Sequence, residues 1–177
     1  MQHRAVKPTR SRRIAELALW TGVASVLFTV EEAVGLPLPF FRLGLANVIP
    51  LALLISAGAG AALSVAVLRV LVAGFLTGSL FHPSFVFSAT GGVLSMLAVA
   101  GVYRLAPRLF GVAGLSILGA FIKNAAQIAV ASLLYVADLD VWSVLPLFFL
   151  VSVGAGTLVA FITRGFLARI RFSGSSG

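Results

Sequence analysis

Long apolar runs follow one another along almost the whole chain, separated only by short groups of proline, glycine and charged residues. An α-helix needs about twenty apolar residues to cross the hydrocarbon core of a bilayer, and most of these runs reach that length. The composition agrees, because 60% of the residues are hydrophobic, 10% are charged and the mean hydropathy is +1.10. The sequence therefore predicts an integral membrane protein that has no room for a separate soluble domain.

The breaks between the runs divide the chain into six predicted membrane helices. These helices cover about residues 14–34, 43–57, 61–80, 84–103, 110–136 and 141–166. The second is short, begins with polar residues and contains Pro50, so we expect an irregular or broken helix there. The predicted fold is an all-α, six-transmembrane-helix bundle. It comprises a basic tail at 1–13, the transmembrane domain at 14–168 and a flexible tail at 169–177.

The basic residues predict how the bundle is oriented. Ten of the thirteen Lys and Arg residues lie in the two terminal segments or in the loop at 104–108. The positive-inside rule places these segments in the cytoplasm, and both termini with them. Because this placement accounts for the net charge of +8, we expect the lipid bilayer as the partner of the basic ends and no nucleic-acid partner.

Three basic residues do not fit a cytoplasmic loop, namely Arg42, Arg69 and Lys123. Arg69 is predicted about 16 Å and Lys123 about 20 Å from the inner ends of their helices, too deep to reach cytoplasmic water easily. In the fifth apolar run, Asn124 and Gln127 are three residues apart and share one helical face, which Lys123 borders. Because polar groups in hydrocarbon are costly unless they are satisfied, these side chains need partners or a ligand.

Two interpretations of these polar residues remain open. In the first, Glu31 or Glu32 pairs with Arg69 or Lys123, and the ion pair only fixes the packing of the helices. In the second, the polar side chains line a cavity that opens outward and binds a small polar or anionic ligand. The candidate ligand-binding residues are Glu31, Asn47, Arg69, Lys123, Asn124 and Gln127.

The sequence lacks the patterns that usually indicate catalysis. It contains no glycine-rich phosphate loop and no nucleophile elbow, and cysteine is absent. The two histidines, His3 and His82, are far apart, and Asp138-Leu-Asp140 is too sparse to hold magnesium for prenyl-diphosphate chemistry. We therefore expect no cofactor, no metal site and no enzymatic activity of this chain alone.

A set of short motifs resembles a known family. The motifs are Leu43-Gly-Leu-Ala-Asn47, Leu68-Arg-Val-Leu71, Gly78-Ser-Leu-Phe81, Pro83-Ser-Phe85, Gly91-Gly92 with Ser95, and Gly119-Ala120 with Asn124 and Gln127. Over about residues 14–168 the chain resembles the Gx transporter family, also called heptaprenyl diphosphate synthase component I. That family is similar to the substrate-binding S-components of energy-coupling factor vitamin transporters. The resemblance implies a multi-pass protein of the bacterial inner membrane with a ligand site near the outer face.

The same resemblance implies site residues, partners and an activity. Asn47, Arg69, Asn124 and Gln127 match the family's pattern. An S-component-like protein would take up a vitamin, flavin or isoprenoid-type small molecule together with an energy-coupling transmembrane subunit and cytoplasmic ATPases. The other family name implies instead a membrane subunit or lipid-handling partner of heptaprenyl diphosphate synthesis. A packing scaffold without a ligand is the third alternative.

Overall fold

A computed structural model of the chain describes residues 10–34, 44–107, 109–134 and 141–174. These residues form six α-helices, in the order that the sequence predicts. The helices are α1 (Arg10–Val34), α2 (Val48–Ser56), α3 (Ala59–Leu76), α4 (Pro83–Leu105), α5 (Val112–Leu134) and α6 (Val141–Gly174). A 3-10 turn, Leu45–Asn47, leads directly into α2. The predicted all-α membrane bundle is confirmed.

Some predictions concern residues outside the described ranges. These are Arg42, the acidic Asp138-Leu-Asp140 loop, residues 1–9 of the basic tail and residues 175–177. The last helix differs from its predicted bounds, because α6 continues to Gly174 and includes most of the segment expected to be a flexible tail. That segment begins with Arg169-Ile-Arg171, which follows Leu167-Ala168, and such residues favour continuation of a helix.

Five of the helices are long and apolar enough to cross a membrane, and α2 is the exception. With its preceding turn, α2 forms the shorter apolar segment Leu45–Ser56. That segment spans about 18 Å, whereas the hydrocarbon core of a bilayer is about 30 Å thick. The second predicted span is therefore a half-length helix, as its sequence indicated.

Two glycines with positive φ set the ends of this short helix. Gly44 has φ +82° and precedes the 3-10 turn, and Gly58 has φ +91° just beyond the last turn. A Cβ atom makes a positive φ unfavourable, so glycine suits both positions. At the C-terminal end the amides of Ala57 and Gly58 both donate to the carbonyl of Leu53, at 2.7 and 2.9 Å. Pro50 lies in the first turn of α2, where its missing N–H does not break the helix.

The short helix lies in the interior of the bundle. Every residue of 48–54 is buried, and α2 contacts α1, α3 and α6. Around it, α1 packs on α3, α3 on α4, α4 on α5, and α5 on α6. A helix that is apolar on all sides is stable only when it is enclosed, which agrees with this position. The outer helices present large apolar side chains outward, including Leu19, Phe75 and Phe161, as expected for a surface in lipid.

The apolar core lies at the end of the bundle where α1 begins and α6 ends. There the rings of Trp20 and Phe166 meet edge to face, with centroids 5.2 Å apart. Ile55 at the end of α2, Leu63 early in α3 and Tyr103 late in α4 pack against the same cluster. Because this end carries the basic residues, the positive-inside rule assigns it to the cytoplasm. In that orientation the beginning of α2 is predicted to lie in the outer half of the bundle.

Candidate functional site

Five of the six predicted ligand-binding residues line one cavity beside the beginning of α2. This cavity has a volume of about 270 Å³, part of which is open to its surroundings, and we call it the polar chamber. The predicted residues that line it are Glu31, Asn47, Arg69, Lys123 and Gln127, and the other lining residues are Phe28, Gly44, Ala46, Ser88 and Gly92. They come from α1, α3, α4, α5 and the turn before α2. The half-length helix leaves room for the chamber, because a full-length central helix would occupy this volume.

Arg69 reaches the chamber from the middle of α3 and is only 4% exposed. Its Nη2 donates a hydrogen bond of 2.5 Å to Oδ1 of Asn47. Its Nε is buried and has no hydrogen-bond partner among the described residues. Gly92 of α4 faces the guanidinium so closely that a Cβ there would lie 3.2 Å from Nη2. Asn47 thus holds Nη2 of the guanidinium in place, whereas Nε remains a donor without an acceptor in the described ranges.

Glu31 binds the backbone at the beginning of the central helix. Its carboxylate accepts hydrogen bonds from the amide of Gly44 and, at 3.5 Å, from that of Ala46. Amides at the start of a helix lack intrahelical partners and favour a negative charge, so the carboxylate satisfies donors that would otherwise be unpaired. The charge of Glu31 also interacts favourably with that of Arg69. The side chain of Glu32, the alternative partner in the sequence, lies outside the described part of the chain.

Lys123 and Gln127 lie one turn apart on α5 and share the face that lines the chamber. Lys123 is 7% exposed, and a Cβ built on Gly44 would lie 3.5 Å from its Nζ. Gln127 is 3% exposed, and its Nε2 donates to the carbonyl of Phe87 at 3.5 Å. The Oε1 of Gln127 is buried without a partner among the described residues. This face of α5 therefore supplies a cation and an unsatisfied acceptor.

Asn124 does not line the polar chamber. Its Nδ2 donates a hydrogen bond of 2.8 Å to Oγ of Ser152 on α6, and its side chain is 1% exposed. The sequence grouped Asn124 with Gln127 because residues three apart are neighbours on a helix. The structure instead directs the face of Lys123 and Gln127 to the chamber and turns Asn124 toward α6. Its Oδ1 is buried without a partner among the described residues.

Two lining residues of α4, Ser88 and Gly92, were not among the predicted ligand-binding residues. Gly92 provides the room for the Arg69 guanidinium, and Ser88 is buried in the chamber wall. Small residues are common wherever membrane helices pack closely, so neither is distinctive in a sequence. The sequence signal that could have identified them is a basic residue deep in one membrane helix, Arg69, together with paired glycines, Gly91-Gly92, on another.

The chamber combines two cationic side chains, one carboxylate and two amides in a buried setting. Guanidinium, ammonium and amide groups form strong hydrogen bonds with carboxylates and phosphates, so this set suits an anionic group of a ligand. No group of three or more His, Cys, Asp or Glu residues in the described ranges could hold a metal ion.

Comparisons with known proteins agree with the motifs. The family model of heptaprenyl diphosphate synthase component I matches residues 20–166. Neither curated proteins nor solved structures give a match. Because the matched region covers all but the ends of the chain, the protein belongs to the heptaprenyl diphosphate synthase component I family.

Proposed function

We propose that this protein is a substrate-binding subunit for membrane transport, which captures a small molecule with an anionic group in the polar chamber. The proposal rests on two buried polar atoms, Arg69 Nε and Gln127 Oε1, which have no partner within the described ranges and belong to residues that line one cavity. Leaving a buried polar group unsatisfied costs about 1–3 kcal/mol. A ligand recovers that cost if its anionic group accepts from Arg69 Nε and a separate donor, such as a hydroxyl group, bonds to Gln127 Oε1. Among the described lining residues, Arg69 and Lys123 outnumber the single carboxylate of Glu31, which favours an anion.

The position of the chamber supports capture from outside the cell. If the basic ends face the cytoplasm, the chamber belongs to the outer half of the bundle, and most of the apolar core lies between it and the cytoplasmic end. We therefore assign the protein to the bacterial inner membrane as a multi-pass subunit that performs no catalysis itself. Release inward would require a coupling partner, for which an energy-coupling transmembrane subunit with cytoplasmic ATPases is the proposed candidate.

Thermal-shift screening of the purified protein tests ligand binding. The screen contains vitamins, flavins and prenyl diphosphates, and a ligand at a hundred times its Kd should stabilise the fold by about 2.7 kcal/mol. Growth on the limiting ligand then compares the wild type with a double variant, Arg69→Ala with Gln127→Ala. If no compound shifts the melting temperature and the double variant grows normally, the transport proposal is wrong.

A second candidate function follows from the family itself. Its description links the protein to heptaprenyl diphosphate synthesis, so a membrane subunit or lipid-handling partner of that pathway is a comparable alternative. This function predicts co-purification with a soluble prenyl synthase and shorter prenyl products after deletion of the gene. Transport predicts neither result, and the two experiments therefore separate the candidates.

A further inference from the structure

A second cavity adjoins the polar chamber and extends from it toward the cytoplasmic half. It has a volume of about 400 Å³, part of which is open to its surroundings, and we call it the apolar chamber. Gly44, Asn47 and Lys123 line both cavities, so the two are neighbours at the beginning of α2 and these residues form the junction between them. Beyond this junction the walls are mainly apolar and include Leu51, Met96, Val99, Leu115, Ala120 and Val159.

The direction of the apolar chamber follows from the helices that supply its walls. Leu115 lies in the first turn of α5, and Val99 lies nearer the end of α4 than its beginning. Both ends are on the cytoplasmic side, whereas Lys123 at the junction is about 12 Å farther along α5 than Leu115. A molecule that fills both chambers would therefore hold its head at Lys123 and Arg69 and point its body inward.

The apolar chamber also contains an unsatisfied polar atom. Ser116 is 5% exposed, lines the cavity, and its Oγ has no hydrogen-bond partner among the described residues. Ser95, on the opposite wall, donates from its Oγ to the carbonyl of Gly119 at 2.8 Å. A binding pocket of this kind, largely apolar with a few convergent polar groups, is typical of small-molecule sites.

We infer that the ligand is a single-chain amphiphile, with an anionic head in the polar chamber and an apolar body in the apolar chamber, which α2, α4, α5 and α6 enclose. This inference rests on the proposed function and narrows its ligand class. A free inorganic anion would leave the apolar chamber empty. A purely apolar molecule would leave the donor Arg69 Nε unsatisfied.

A chain-length series tests the inference in nanodiscs of phosphatidylcholine, with empty nanodiscs subtracted. The probes are inorganic phosphate and butyl, hexyl and octyl phosphate, with acetate, butyrate, hexanoate and octanoate in parallel. Each methylene that enters the apolar chamber should raise the affinity about fourfold until the chamber is filled. Addition of phosphatidylglycerol should leave the series unchanged, and loss of binding on its addition would identify a lipid site and overturn the inference.

Two matched variants on α5 test whether the alkyl chain of the probe lies in the apolar chamber. Ala120→Leu fills the apolar chamber and should abolish the rise with chain length while inorganic anions still bind. Ala129→Leu makes the same change at an exposed position and should leave the rise intact. Should Ala120→Leu fail to fold, the wild-type series decides the question by itself.

The two proposals fail in different ways. The inference that the ligand is an amphiphile is overturned if short and long probes bind with equal affinity. It is also overturned if octyl phosphate binds Ala120→Leu as tightly as the wild type. Either result leaves the proposed function intact. If no member of either series shows binding that Arg69→Ala weakens, the anionic ligand of the proposed function is contradicted as well.

Discussion

Arg69 and Asn47 join the wall of the bundle to its central helix through a hydrogen bond of 2.5 Å from Nη2 to Oδ1. The bond holds the guanidinium over the beginning of α2 and leaves its Nε without a partner in the described structure. Asn47 is thus a positioning residue, because it orients the cation that would meet the ligand. The unpartnered donor beside a fixed one is the feature from which the binding proposal follows.

Replacing Asn47 with aspartate should separate binding from folding. Asn47→Asp retains an acceptor for Arg69 but adds a negative charge to the chamber. We expect the protein to stay folded and anion affinity to fall about tenfold or more, since hydrogen bonds between charged groups contribute about 1.5–3 kcal/mol. Melting temperature and equilibrium binding measure the two effects. Undiminished anion binding by a folded Asn47→Asp protein would contradict this role.

Removing the carboxylate charge of Glu31 should have the opposite effect. In Glu31→Gln the remaining carbonyl oxygen still accepts from the amide of Gly44, the weaker bond from the amide of Ala46 is lost, and the negative charge is removed from the chamber. Anion affinity should increase about fivefold, which corresponds to roughly 1 kcal/mol. Glu16→Gln is the control, because Glu16 lies on the surface and pairs with Arg12 at 3.1 Å. Weaker anion binding by Glu31→Gln would mean that this carboxylate contacts the ligand.

The hydrogen bond between Asn124 and Ser152 should contribute to stability and not to binding. A double-mutant cycle with Asn124→Ala and Ser152→Ala is expected to give a coupling energy of about 0.6 kcal/mol, the average for such bonds between membrane helices. Unfolding of the purified protein in mixed micelles measures it. The ligand affinity of the folded Asn124→Ala variant should match that of the wild type. A lower affinity would show that Asn124 contributes to ligand binding.

Gly156 lies at a close approach of α6 to α5. A Cβ on Gly156 would lie 2.5 Å from Cα of Ile117, so the two backbones would have to separate. Gly156→Ala should therefore destabilise the protein by about 1–3 kcal/mol, as overpacking does in a tight interface. Gly154→Ala is the matched control, because nothing lies within 4 Å of a Cβ there. Equal melting temperatures for the two variants would refute this account of the interface.

Much of the fold could be predicted because a membrane helix requires a run of about twenty apolar residues, which is visible in the sequence. The same pattern identified α2 as unusual, through its shortness and its polar beginning. The position of α2 at the centre of the bundle could not be predicted, because length and hydropathy do not specify which helices become neighbours. Its complete burial is a property of the assembled bundle.

The candidate site was predictable in its polar residues and not in its geometry. Depth in the membrane singled out Arg69 and Lys123, and both line the polar chamber. Helical spacing shows which residues share a face but not where that face points, so it could not separate Gln127 from Asn124. The backbone contact of Glu31 with Gly44 depends on how α1 meets the turn before α2, which no local pattern encodes.

Equilibrium dialysis with the anionic ligand identified by thermal shift tests the central claim most directly. The account predicts saturable binding to the wild type, an affinity about ten- to a hundredfold lower for Arg69→Ala, and no change for Arg164→Ala at an exposed position of α6. Melting temperatures establish that all three proteins are folded. Equal affinity of the wild type and Arg69→Ala would contradict the assignment of the polar chamber as the ligand site.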